Sequence, residues 1–413
     1  MATLRLARPL WLDREHARAA RRFPSLSGTI SADVVVVGAG VTGAAIAWRL
    51  ASAGARVVVL DGARAARGST AASSALLMQE PDEDFSNLQQ RYGAADTRRI
   101  WQLSRAATRE FVAEVRRLRI ACELSSRDSV YFTLDQEREG GLCREQRLRA
   151  RAHCGGRWLG SAALERTVGF RGVAAIRTRG NAEADPVALS LGLLDAAERR
   201  GAAIFERSRV QHSIPDGSGV RVLTARGEVR CGRVVVATGY ATREFKPLIG
   251  RFRLLDTYVV ATEPVSSSMR RALGLSNVMI WDTSRPYHYA RWSRDGRLLL
   301  GGGDRRHQAG ARRSRALRAG AQEVREYFEA LYPALRGIRT DYAWEGLFAT
   351  TPDGLPYIGP HRRYPNHLFA LGYGGNGMTF GYLAAKLIAE RIEGKISPDH
   401  DLFAFDRLRR RRR

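Results

Sequence analysis

The chain is short of several things. Of its 67 basic residues only three are lysines, Lys246, Lys386 and Lys395. It has four cysteines, Cys122, Cys143, Cys154 and Cys231, with no CxxC spacing, which argues against a zinc ribbon or a disulfide framework and makes a reducing compartment the default. Proline is scarce, 14 against 41 glycines, so this is not a Pro-rich linker protein. No apolar run approaches the roughly 20 residues a membrane span needs. The longest are runs such as Val34–Val37 and Val57–Leu60. The segment 1–28 holds Arg5, Arg8, Arg14, Arg18, Arg21 and Arg22 but no apolar core of a secretory signal, so a cytoplasmic location is expected.

What is present is a globular composition. The 413 residues are 44% hydrophobic and 26% charged, enough for two or three folding units. The net charge is +25, carried by arginines spread along the chain, with a cluster at Arg407 and 409–413. No basic stripe interleaves with stacking aromatics as single-strand binders require. The arginines therefore read as solvated surface, and a nucleic-acid partner is not expected.

The densest signal begins at Val34. A β-branched run, Val34–Val37, predicts a buried strand. Gly38-Ala39-Gly40-Val41-Thr42-Gly43 follows directly, then helix-forming sequence to Ala53, then a second strand, Val57–Leu60, ending in Asp61. Each part has a physical task. Gly38 permits a tight turn, and Gly40 lets backbone approach a pyrophosphate on the helix N-terminus. Gly43 lets helix and strand pack closely, and Asp61 accepts from ribose hydroxyls. This is a dinucleotide-binding unit. The next stretch, Arg67-Gly68-Ser69-Thr70-Ala71-Ala72-Ser73-Ser74-Ala75, is small and hydroxylic, which suits backbone passing close to a flat ring system.

Further on, Asn87–Leu118 predicts a helix, Ser129–Leu134 a strand and Pro186–Arg200 a helix. Strands are expected at Ala203–Phe205, Arg209–Gln211 and Val220–Thr224, with a polar turn over Pro215–Gly219. Val234–Val236 runs into Ala237-Thr238-Gly239, a buried strand ending in a small-residue turn. Strands Thr257–Thr262, Tyr287–Trp292 and Leu298–Gly302 suggest an antiparallel sheet, the last two joined through Ser293–Gly296. Gln322–Leu331 reads as an amphipathic helix. Near the end come a run of the form Thr-x-Asp-Gly-x-Pro-x-Ile-Gly (Thr351–Gly359), a strand Leu368–Leu371, and Gly372-Tyr373-Gly374-Gly375-Asn376-Gly377-Met378 opening a helix to Ile392.

Taken in this order, these segments resemble the FAD-dependent oxidoreductases of the D-amino-acid-oxidase-like family, the glycine, sarcosine and amine oxidase group. The resemblance covers Pro24 to Phe405. It implies an α/β fold: a Rossmann-like FAD domain and a smaller substrate domain with a mixed or antiparallel sheet. The FAD domain is expected over 30–85, 180–245 and 340–405. The substrate domain with its helical insertion is expected over 86–179 and 246–339, between an N-terminal arm (1–29) and a basic tail (406–413). The cofactor-binding residues expected are Gly38, Gly40, Val41, Thr42, Gly43, Asp61, Gly68, Ser69, Thr70, Ser73, Ser74, Val210, Ala237, Thr238, Gly239, Gly374, Gly375, Asn376, Gly377 and Met378. The implied chemistry is oxidation of a C–N bond in a small amine or amino acid, with hydride passing to the flavin and oxygen or a quinone as final acceptor. No metal is needed.

Departures from the family pattern narrow this. Glycine-oxidase-like members carry a carboxylate-clamping Arg where this chain has Phe348. No Cys stands near Gly346 and no His in Gly68–Ala75, so FAD is expected to be non-covalent. The lysine that promotes reaction with oxygen is replaced by the apolar Leu298–Leu300, which points to a dehydrogenase more than a fast oxidase. Arg285, Tyr287 and His288 are the expected catalytic residues. Period-2 alternation puts Tyr287 and Tyr289 on one strand face and His288 on the other. The resemblance favours the His288 face toward the flavin. A flavoenzyme acting on modified tRNA stays open as the alternative, since +25 would suit it.

Overall fold

The computed structural model describes residues 4–15, 17, 22–310 and 312–410. Arg18, Arg21 and Arg411–Arg413, counted above among the arm and tail arginines, lie outside the described residues. Two β-sheets carry the chain.

The eight-stranded sheet runs in the order Tyr357–His361, Tyr364–Leu371, Gly227–Gly239, Gly28–Val37, Val57–Leu60 and Ala203–Phe205. All neighbours from Tyr364–Leu371 onward are parallel, and Tyr357–His361 is the antiparallel edge. The hairpin His212–Asp216/Gly219–Leu223 joins the end of Gly227–Gly239. Parallel strands are covered on both faces, which is why they read as unbroken apolar runs. Val34 and Val36 pack under the helices Val41–Ser52, Pro186–Glu198 and Gly377–Ile392. Val35 and Val37 pack on the other side with Val220, Phe245, Tyr357 and Phe405.

The ten-stranded sheet is mixed. Its order is Arg5–Leu6, Thr340–Thr350, Arg253–Thr262, Leu298–Arg306, His288–Trp292, Met279–Asp282, Ser125–Thr133, Ala174–Glu183 and Leu76–Leu77, with Arg157–Gly160 also on Ala174–Glu183. The helix Arg312–Leu331 covers one face, where Leu317, Val324 and Phe328 meet Tyr258, Ala290, Trp292 and Leu300. The opposite face looks toward the parallel sheet, and the cavity described below opens between the two.

Several expectations are corrected. Thr340–Thr350, expected with the dinucleotide half, pairs over its full length with Arg253–Thr262 and belongs to the other sheet. Leu76–Leu77 does too, and Arg5–Leu6 of the arm adds a parallel edge strand against Tyr342 and Ala343. Arg209–Gln211 is not a strand; pairing starts at His212 and takes in Pro215 and Asp216, which shrinks the polar turn to Gly217-Ser218. The long helix starts at Phe85 and is interrupted at Gly93, where φ is 76° and ψ 170°. Arg407 is no tail residue. It is 1% exposed and holds Asp353 with two bonds of 2.8 Å.

Candidate active site

The cavity is built from strand ends. Val37 ends in Gly38 at φ +106°, where a Cβ would stand 2.7 Å from the Ala237 carbonyl oxygen. At Gly43 a Cβ would overlap the Gly38 carbonyl oxygen, so helix Val41–Ser52 can start this close to the strand only with glycine there. That helix begins at Gly40 with no side-chain cap and no acid in its first turn. The Val41 N–H is taken by Thr70 Oγ1 at 3.0 Å. Uncapped N–H groups at a helix N-terminus aimed into a cavity are an anion site.

Asp61 is held by its surroundings before any ligand arrives. Its Oδ2 accepts from Ala39 N–H at 2.8 Å and its Oδ1 from Ala63 N–H at 2.7 Å. The carboxylate is thereby fixed with lone pairs left for a diol. The Gly68–Ser74 segment is held from behind. Trp344 donates its indole N–H to the Ala72 carbonyl (2.9 Å), Trp11 to that of Ser73 (2.8 Å) and Arg291 its Nε–H to that of Ser74 (2.7 Å). Three successive carbonyls are thus bound by buried donors. These donors come from far in the sequence, and no local pattern announces them.

The result is a cavity of about 460 Å³ lined along one side by Gly38, Gly40–Thr42, Asp61, Gly68–Thr70 and Ala72–Ser74 and closed by Ala237–Gly239 and Gly374–Met378. Every expected cofactor residue except Gly43 lines it, Val210 included. Gly43 lies behind, packed on Gly38. These walls fit FAD: an elongated dinucleotide finds uncapped N–H groups for its phosphates, a pre-held carboxylate for its ribose and a glycine-rich floor that admits a planar ring. Asn376 joins that floor to the facing loop, donating both amide hydrogens, to Met78 O at 3.0 Å and Glu80 O at 2.9 Å.

Of the three residues expected to be catalytic, only Tyr287 lines the cavity. Tyr289 does as well, with Trp281 and Phe348. His288 is on the opposite strand face. Its backbone N–H donates to Asp282 Oδ1 at 2.9 Å, its Nδ1 lies 3.0 Å from Asp282 Oδ2, and its ring stacks on Tyr327 at 3.7 Å. The Tyr327 hydroxyl donates to the same carboxylate at 2.6 Å. Burial alone would raise the Asp282 pKa, but the bonds from His288 and Tyr327 hold it below the ordinary carboxylate range. The preference for the His288 face is therefore corrected: that face packs on helix Arg312–Leu331, and alternation could not choose between the faces. Arg285 is exposed and outside the cavity wall.

Sequence reasoning missed Asp82. It stands on the cavity wall, and its Oδ2 accepts from the Gly375 N–H. Desolvation pushes its pKa up to about 7 against that hydrogen bond, with the nearby Asp304 and Glu83 carboxylates adding to the rise and the Arg285 guanidinium opposing it. Burial likewise raises Asp304, to about 6. A side chain at Gly375 would collide with the Tyr287 hydroxyl, so tyrosine, carboxylate and glycine loop meet at one point. The acidic run Glu80-Pro81-Asp82-Glu83-Asp84, unusual in so basic a chain, was the available signal.

Fold and cavity together define a dinucleotide-binding oxidoreductase of two sheets. Comparison with known proteins agrees. The family described as FAD dependent oxidoreductase matches residues 33–391. Gamma-glutamylputrescine oxidoreductase of Escherichia coli (strain K12) is 30% identical over 386 residues, 90% of this chain and 86% of that protein. Glycine oxidase of Bacillus subtilis (strain 168) is 25% identical, over 90% of this chain and 96% of that one. The crystal structure of glycine oxidase from Geobacillus kaustophilus superposes with a TM-score of 0.76 at 21% identity, covering 89% of this chain and 96% of that one. L-proline dehydrogenase from P. horikoshii superposes with a TM-score of 0.74 at 20% identity, covering 94% and 99%. The chain belongs to the FAD-dependent oxidoreductase family, and its cofactor is FAD. No helix among the described residues is long and apolar enough to cross a membrane.

Proposed function

We propose that the protein oxidises the C–N bond of a small amine or amino acid and passes the electrons to an acceptor other than oxygen. The relatives above are named for an amine and for an amino acid, which supports the bond type. When bound, FAD supplies the hydride acceptor. The chain supplies position and dryness. Tyr287, Tyr289, Trp281 and Phe348 form the aromatic wall that holds the reacting carbon and keeps water out. Asp82 stands where it can take a proton from the substrate's nitrogen, and a carboxyl titrating about 7 suits that task near neutral pH.

The observation that carries the acceptor reading is the distribution of cations. Among the described residues the cavity wall holds no lysine, its arginines, Arg67 and Arg209, are at the Asp61–Gly68 end, and Arg285, whose charge reaches Asp82 and Tyr287, is outside the wall. Leu298–Leu300 is wholly buried in apolar surroundings. A positive charge beside the ring is what would stabilise developing superoxide. The FAD should also be non-covalent and leave with acid denaturation, since among the described residues the cavity wall contains no cysteine and no histidine. The test is anaerobic bleaching of the flavin by a panel of amines and amino acids, followed by stopped-flow reoxidation. Slow reoxidation in air and faster reoxidation by a quinone are expected. Oxidase-like rates in air would overturn the acceptor reading.

A further inference from the structure

The end of the cavity away from the dinucleotide side has a definite charge character. Arg209 packs over Gly62, where a Cβ would lie 3.3 Å from its own. Arg67 donates to the Ala17 carbonyl at 3.1 Å. Both basic side chains of the wall are thus committed to the Asp61–Gly68 end. The other end has Asp82 together with Trp281, Tyr287, Tyr289 and Phe348.

Hydrogen-bond accounting points the same way. Asn376 is 3% exposed and lines the cavity next to Gly375. Its amide hydrogens are both spent on Met78 and Glu80, so its Oδ1 can only accept, and it has no donor. Asp304 does not line the cavity, but it is close enough to Asp82 and Tyr287 to raise the pKa of both and so adds negative charge to this end. A buried acceptor without a donor is costly to leave unmet, and an N–H group of a ligand in the cavity would satisfy Asn376 Oδ1. A carboxylate placed here would meet the Asp82 carboxylate and the Asn376 acceptor on the wall; the Arg285 guanidinium, whose charge reaches Asp82, stands outside that wall. An ammonium would meet the Asp82 carboxylate, the unmet Asn376 acceptor and aromatic faces, the combination that recognises cations.

We propose that the substrate is a cationic amine without a carboxylate on the reacting carbon, held by Asp82 and the aromatic wall of Trp281, Tyr287 and Tyr289. This rests on the C–N oxidation reading and narrows its substrate class. Asp82 is the specificity-determining residue: its carboxylate, fixed by the Gly375 N–H, receives the ammonium. No bond to carbon changes in this docking step; a proton can pass from nitrogen to Asp82 Oδ, leaving the nitrogen lone pair free.

The test uses FAD-loaded protein in two measurements. Calorimetric titration with n-butylamine and with acetate reads binding without turnover. Saturable binding of n-butylamine, at least tenfold weaker in Asp82→Asn and restored in Asp82→Glu, is expected, with acetate not bound. FAD content, read by absorbance, should be unchanged in both variants. Binding of acetate in preference to n-butylamine, or n-butylamine binding unaffected by Asp82→Asn, or no binding of either, overturns the proposal. Anaerobic flavin reduction separates this from the underlying reading. If glycine bleaches the flavin and n-butylamine does not, the substrate class is wrong and C–N oxidation stands. If only 2-hydroxy acids bleach it, C–N oxidation itself is wrong.

Discussion

Replacing Arg407 by alanine tests whether its buried ion pair with Asp353 holds the cavity floor in place. Arg407 and Asp353 have side chains 1% exposed each and meet through two bonds of 2.8 Å. Arg407 also donates to Leu355 O at 2.7 Å and lies over the Tyr357 ring at 4.2 Å. Asp353 further accepts from the Thr351 hydroxyl at 2.9 Å and from Tyr92. Thr351 in turn packs against Gly372, at the root of the glycine loop that forms the cavity floor. Removing one partner of a buried pair typically costs about 3–5 kcal/mol, because the other charge stays buried. With an unfolding entropy of about 2.1 cal/mol/K per residue, that lowers the melting temperature by about 3–6 °C if the chain unfolds as one unit.

The pH dependence separates this mechanism from simple loss of packing. Burial alone would raise the Asp353 pKa, but Arg407 holds it below the usual carboxylate range. Its stabilising share in the wild type is therefore present above the unfolded value of about 3.9 and lost only as pH falls through the lower folded value. Without Arg407, burial dominates and the folded pKa rises above the unfolded one. The penalty is then full at high pH and relieved as Asp353 takes up a proton. Differential scanning calorimetry of wild type and Arg407→Ala from pH 8 to pH 5 should show the gap narrowing on acidification. The double variant Arg407→Met/Asp353→Leu should recover most of the loss. A gap independent of pH, or a double variant as unstable as the single one, would refute the reasoning.

Two further outcomes are expected. Gly43→Val should give colourless protein, because a side chain there overlaps the Gly38 carbonyl and pushes the helix from the strand; flavin absorbance after gel filtration checks it. Tyr287→Ala should slow anaerobic flavin reduction roughly tenfold or more by opening the aromatic wall, whereas His288→Ala should leave reduction within about twofold and lower thermal stability by about 1–3 kcal/mol, because the buried Asp282 loses its imidazole partner and keeps only Tyr327 and backbone donors. The reverse ranking, read by stopped-flow absorbance, would return the active face of that strand to His288.

The dinucleotide half was legible in the sequence because its determinants are local. Val34–Val37, Gly38–Gly43 and Val57–Asp61 form strand, turn, helix and strand within 28 consecutive residues, and sterics at Gly43 tie residue type to geometry directly. The glycine loop before helix Gly377–Ile392 was legible for the same reason. The substrate end was not. Period-2 alternation separates Tyr287 and Tyr289 from His288, yet which face meets the cavity depends on where helix Arg312–Leu331 packs, a contact between distant segments. Asp82, Trp281 and Phe348 come together only when three separate stretches converge on one wall. Arg407 shows the limit most plainly. By composition it is one of a run of terminal arginines, and only the buried carboxylate of Asp353, 54 residues earlier, distinguishes it from the rest. Local steric rules are written in neighbouring residues; burial and charge pairing are properties of the assembled chain.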